Sequence, residues 1–257
     1  MNTMNLRKGI LVIVMGLLLG GGCAPTEKMR TQATLHSRMG FEHLQAGDST
    51  SALREFQEAE KLNPKDPAIQ YGLGWTYNAK GLFPEGLARY RKALELDPKF
   101  TEAHNAMGAT YLEMGLWDDA IREFEITLQD LLYPTPYYVL NNLGWAYYKK
   151  GDRSKAIEQF KKAVAMKPDF AMSFYNLGLA YKDNNQPAEA IAAFRSAVAQ
   201  VPDFQDAYFH LGELYLKARN NKEARKAFEE VVRIAPKSAK AGLANEYLEL
   251  LKSKSGK

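Results

Sequence analysis

The sequence predicts an all-α solenoid of six stacked helix pairs closed by a C-terminal capping helix. Three periodic series predict it. Gly40, Gly74, Gly108, Gly144, Gly178 and Gly212 recur at intervals of 34, 34, 36, 34 and 34 residues. Pro64, Pro98, Pro134, Pro168, Pro202 and Pro236 keep the same period, with the longer step between Pro98 and Pro134. Phe56, Tyr90, Phe124, Phe160, Phe194 and Phe228 run in step with the glycines. A fixed period of this length marks a stack of repeats that cannot fold singly, because no unit buries its apolar face alone.

The elements follow in order. Met1–Lys8 carries Arg7 and Lys8, Gly9–Leu19 is apolar, and Gly20, Gly21 and Gly22 precede Cys23. A short basic start, an apolar run and small residues are the parts of a secretory leader, assigned to residues 1–22. The run is too short to span a bilayer comfortably. Cys23 is the only cysteine, so no intramolecular disulfide is possible. Its place directly after small residues resembles a bacterial lipoprotein signal, in which the Cys is acylated and becomes the new N-terminus. Gly20 stands where Leu is usual in that signal, with Leu19 one step back. Ala24, not Asp, follows the Cys, which in the enterobacterial sorting scheme implies the periplasmic face of the outer membrane. Residues 23–32 read as a lipidated tether.

Six repeats are expected over 33–238: Ala33–Asp66, Pro67–Phe100, Thr101–Pro136, Tyr137–Phe170, Ala171–Phe204 and Gln205–Ser238. The glycine of each first helix follows Met39, Leu73, Met107, Leu143, Leu177 or Leu211. Three residues after it come Tyr77, Tyr111, Tyr147, Tyr181 and Tyr215, with His43 in the first repeat. Each second helix carries Ala52, Gly86, Ala120, Ala156, Ala190 or Ala224 four residues before its aromatic. Small residues let antiparallel helices approach closely, and aromatics fill the space between pairs. The proline lacks a donor and stops the second helix. These residues resemble the tetratricopeptide repeat (TPR) pattern, which implies a right-handed superhelix. Residues 239–257 read as a capping helix and tail, with Ala241, Ala244, Tyr247, Leu248 and Leu251 on its packing side.

Composition and motifs point away from chemistry. The formal charge of +4 falls to 4 − 2 = +2 when Arg7 and Lys8 leave with the leader, too little to argue for nucleic acid. His36 and His104 share a helix position that is usually a packing position, and none of the four histidines has zinc-type spacing. No nucleophile elbow, phosphate loop or dinucleotide fingerprint is present. The expectation is a protein without catalytic residues, metal or cofactor.

In a TPR stack the first helices line the concave face. The repeat register places there Tyr71, Trp75 and Asn78 in the second repeat and Asn105 in the third. It adds Tyr138, Asn141, Asn142, Trp145 and Tyr148 in the fourth, and Tyr175 and Asn176 in the fifth. Amides can bond a partner's main chain, and Trp and Tyr are typical anchors, so this mixture suits a peptide. The other reading is that the rings pack on one another. Trp117 begins a second helix and belongs to packing. The Lys and Arg that hold a terminal carboxylate in chaperone-tail repeats are absent from most of these positions.

The leader, the six repeats and a two-residue expansion at Leu131-Leu132-Tyr133-Pro134-Thr135-Pro136 together resemble the type IV pilus lipoprotein family called PilF or PilW. That resemblance implies a pilotin: an acyl-anchored solenoid that helps an outer-membrane secretin to localise or assemble. Two other classes stay open. One is a periplasmic adaptor for peptidoglycan enzymes, and the other is a general envelope scaffold for secretion.

Overall fold

The computed structural model describes residues 25–255, so the leader, Cys23 and the last two residues lie outside the described residues. Thirteen α-helices and no strands occur among the described residues. They run α1 (Glu27–Gln45), α2 (Ser49–Leu62), α3 (Pro67–Ala79), α4 (Phe83–Leu96), α5 (Thr101–Glu113), α6 (Trp117–Thr127) and α7 (Pro136–Lys150). Then follow α8 (Arg153–Met166), α9 (Ala171–Asp183), α10 (Pro187–Gln200), α11 (Gln205–Lys217), α12 (Asn221–Ile234) and α13 (Ala239–Ser255). α1 takes in residues that the sequence assigned to the tether. It starts early because the Thr26 hydroxyl accepts from the Met29 N–H, an N-cap the repeat pattern does not contain.

Each odd helix pairs with the next even one, and α13 packs on α12. Odd helices also touch the next odd helix from α1 through α9, which puts them on the inside of the curve. Turns within pairs use a left-handed residue after the first helix: Gly47, Gly81, Gly115 and Gly151, then Asn185 and Arg219. Glycine adopts that conformation without a Cβ penalty; the last two positions do not have this relief. Between pairs, the helix ends two residues before the loop proline in five of six units, with its C-cap between, for example Asn63, whose N–H donates to the Ala59 carbonyl at 2.8 Å. The exception is α6, which stops at Thr127 and leaves residues 128–135 as a longer loop that absorbs the two extra residues.

Packing follows the glycine–aromatic series. A Cβ on Gly40, Gly74, Gly108, Gly144, Gly178 or Gly212 would lie 2.5–2.7 Å from the ring of Phe56, Tyr90, Phe124, Phe160, Phe194 or Phe228 in the same pair. The hydrogen at those positions is what lets the second-helix ring seat against the first helix. The core clusters lie wholly within residues 33–251. At the C-terminal end Tyr247 of α13 stacks on Phe228 at 4.8 Å, and Ala241, Ala244 and Leu251 are buried.

Candidate partner-binding groove

The concave face carries two aromatic groups. The first spans the first three repeats. The Tyr71 ring sits among Phe41, Trp75, Tyr90 and Phe100, with centroids 5.4–6.3 Å away. Burial pushes its hydroxyl up to about 12. Trp75 stays 38% exposed, with Phe41 at 6.2 Å holding its other side. Asn78 lies one turn further along α3, against Gly86, whose missing side chain lets α4 come close. Tyr133, from the expanded loop, is half-buried beside Asn105 and Thr135. Burial is also the main cause that raises its pKa.

The second group spans the fourth and fifth repeats. Trp145 and Tyr148 stack at 5.1 Å, with the Lys149 ammonium 5.2 Å above the indole and the Arg153 guanidinium 5.0 Å from the Tyr148 ring. The Tyr148 hydroxyl donates to Asp183 at 2.6 Å. Burial, and then that bond, push the Tyr148 hydroxyl up to about 12. Tyr138 is exposed and rests edge-on against Phe170 at 4.7 Å. Tyr175 packs on Phe204 at 4.8 Å and near His210, and burial raises it to about 12.

The amides divide. Asn141 and Asn176 are buried at the seam between the fourth and fifth repeats. The Asn141 Oδ1 accepts from Ser173 at 3.1 Å and from Asn176 at 3.0 Å, and its amide nitrogen lies 3.5 Å from Asn142 Oδ1. These two residues join the fourth repeat to the fifth through Asn141 Oδ1. Asn78 Oδ1 and Asn105 Oδ1, in contrast, are buried and have no hydrogen-bond partner among the described residues. A buried acceptor without a donor carries a penalty of about 1–3 kcal/mol until one arrives.

Two groove residues escaped the sequence reading. Phe41 occupies the same register position as Trp75 and Trp145, directly after the packing glycine, so the signal was available. Tyr133 sits in the expansion, where the register gives no guide. Trp117 is half-buried at the start of α6, 3.5 Å from where a Gly115 Cβ would lie. His36 pairs with Glu55, and His104 with Glu123, each at 2.7 Å, tying first helix to second. No cluster of three or more His, Cys, Asp or Glu among the described residues is placed to hold a metal ion. No described helix is long and apolar enough to cross a membrane.

Known proteins share this architecture. A tetratricopeptide repeat pattern matches residues 38–99 and 175–239, and two further patterns of that kind match 144–185 and 90–122. The crystal structure of PilW, described as a widely conserved type IV pilus biogenesis factor, is similar at a TM-score of 0.74 and 20% identity. The similarity covers 81% of this chain and 96% of PilW. PilF of Pseudomonas aeruginosa is similar at a TM-score of 0.75 and 16% identity, over 89% of this chain and all of PilF. YrrB, described as having an unusual peptide-binding site, is similar at a TM-score of 0.61 and 22% identity, over 74% of this chain and 97% of YrrB. At these identities the likeness shows the fold. No curated protein matches the sequence.

Proposed function

The chain belongs to the tetratricopeptide repeat family, and on that footing we propose that it is a non-enzymatic scaffold that holds a peptide segment of a protein partner in its concave face. The observation that carries this reading is the exposed Trp75 indole, held between the Phe41 and Tyr71 rings on the inner face that also carries the half-buried Asn78 and Asn105. A partner's side chains would cover the indole, and its main chain would bond the half-buried Asn78 and Asn105 amides once those side chains turn toward it. The flanking rings are already fixed against one another, so little side-chain freedom is lost when a peptide seats.

The partner in this reading is an outer-membrane secretin of a type IV pilus, and the chain is acylated at Cys23 on the periplasmic face of the outer membrane. The architecture shared with PilW and PilF and the leader-like segment support it. An acyl anchor would raise the local concentration of the groove near its partner without adding a contact. The test is capture of the tagged full chain from outer membranes solubilised in mild detergent, with partners identified by mass spectrometry. A dominant secretin that is lost with Trp75→Ala plus Asn78→Leu, at unchanged helicity, supports the reading. Cell-wall enzymes in its place, or capture unaffected by both substitutions, overturn it.

A further inference from the structure

The expanded loop presents the most exposed apolar side chains among the described residues. Leu131 is 94% exposed and its neighbour Leu132 is 90% exposed. The loop that carries them is held in place. Asp130 accepts from the Leu132 N–H at 2.9 Å and from the Thr101 hydroxyl at 2.8 Å, and the Tyr133 N–H donates to the Asp130 carbonyl at 3.2 Å. Tyr133 behind them is packed against the core. Two leucines therefore stand on a braced turn, with no apolar cover from the fold.

Their location says what covers them. Antiparallel pairing puts the start of every odd helix and the end of every even helix on one edge of the solenoid. The bond from Thr101 at the start of α5 to Asp130 after α6 shows this directly. The α1 start is on that edge too, and Cys23 is three residues before its cap, Thr26. Three residues reach about 10 Å at most, so an acyl chain on Cys23 keeps the α1 end of this edge against the lipid. The edge also exposes Met166 and Val201 at the ends of α8 and α10. Lys65, Lys99 and Lys237 each follow a loop proline on it and are exposed. Of its carboxylates, Asp66 caps α3, Asp97 accepts from the Lys99 N–H, Asp169 pairs with Lys167 and Asp203 pairs with Arg233, while Glu27 and Glu102 are exposed at the starts of α1 and α5. Braced leucines with lysines at headgroup height are an interfacial pattern.

We propose that the Leu131–Leu132 turn inserts into the bilayer interface as a second membrane contact, which fixes the solenoid's orientation on the membrane. The inference rests on the acyl-anchor reading above. The chain from Ala24 onward contains no cysteine, so Leu131→Cys supplies a single thiol for an environment-sensitive fluorophore. The label is read on vesicles of phosphatidylethanolamine and phosphatidylglycerol with brominated acyl chains, at saturating lipid. Strong quenching at position 131, and none at a Leu116→Cys label on the opposite edge, is the expected result. Leu131→Asp with Leu132→Asp should weaken vesicle binding about tenfold or more at unchanged helicity. A silent label at 131, equal quenching at 116, or quenching only after a protein partner is added overturns the proposal. Fractionation of cells carrying Cys23→Ser tests the anchor separately: a released chain with a silent label at 131 leaves the anchor standing and removes only the leucine contact.

Discussion

Replacing Gly144 by Ala in two backgrounds tests the packing rule that spaces the whole stack. A Cβ at Gly144 would lie 2.7, 2.8 and 3.1 Å from Cε1, Cδ1 and Cζ of Phe160. Carbon pairs prefer about 3.5–4.0 Å. Phe160 is fully buried, so its ring has no free space into which to retreat. Overpacking of this kind costs about 1–3 kcal/mol. Alanine returns about 1 kcal/mol through its helix propensity over glycine. The net change in the native background is therefore between about zero and 2 kcal/mol of destabilisation. With Phe160→Ala the ring is gone, at a cost of about 3–5 kcal/mol, and Gly144→Ala should then stabilise by about 1 kcal/mol. Propensity cancels around the cycle and leaves a coupling of about 1–3 kcal/mol that is purely steric. Urea unfolding of the four proteins by far-ultraviolet circular dichroism measures it, provided the slopes stay equal. A coupling below about 0.5 kcal/mol would refute the seating of Phe160 against Gly144.

Arg219 adopts φ 57° at a turn position where four earlier repeats use glycine, so Arg219→Gly should stabilise the chain by roughly 1 kcal/mol. An unchanged or lower urea midpoint would count against that strain. Asn141→Ala leaves the Ser173 hydroxyl and the Asn176 amide without their acceptor and should destabilise by about 1–3 kcal/mol, whereas a change within error would show the seam is not held by this bond. Tyr71, Tyr147, Tyr148 and Tyr175 are each pushed up to about 12, burial being the largest cause. The unfolded chain loses these protons near pH 10 and the fold retains them to about 12, so their contribution is complete below pH 10 and falls as pH rises to 12. A urea midpoint that stays flat from pH 9 to 12 contradicts the burial of these phenols.

The repeat was legible because its cause is local sterics repeated six times. A glycine facing a ring, a proline after a helix and a tyrosine three residues on all leave marks at fixed spacing. Register then gave the inner face, since odd helices were known to line it, and found Trp75, Tyr138 and Trp145. The loop after α6 was visible as an insertion, but not its consequence. That Tyr133 turns back beside Asn105 while Leu131 and Leu132 turn out depends on the Asp130 bonds, which no period encodes. The start of α1 was missed for a similar reason: one hydroxyl on Thr26 caps it.

The amides show most clearly where register stops being enough. Asn105 and Asn141 both lie three residues before a packing glycine, Gly108 and Gly144. The sequence gives them one role, but the structure gives them two. What differs is the following repeat. Opposite Asn141 it offers Ser173, five residues before Gly178, and Asn176, two before it, and both donate to Asn141. The position matching Ser173 in the fourth repeat is Val139, which has no donor. The position matching Asn176 is Asn142, whose oxygen lies 3.5 Å from the Asn141 amide nitrogen. Asn105 lies instead beside the Tyr133 hydroxyl of the expanded loop, and its Oδ1 has no partner among the described residues. The inner-face amides therefore divide into a pair, Asn141 and Asn176, bonded across a repeat seam, and Asn78 and Asn105, whose buried oxygens have no partner among the described residues.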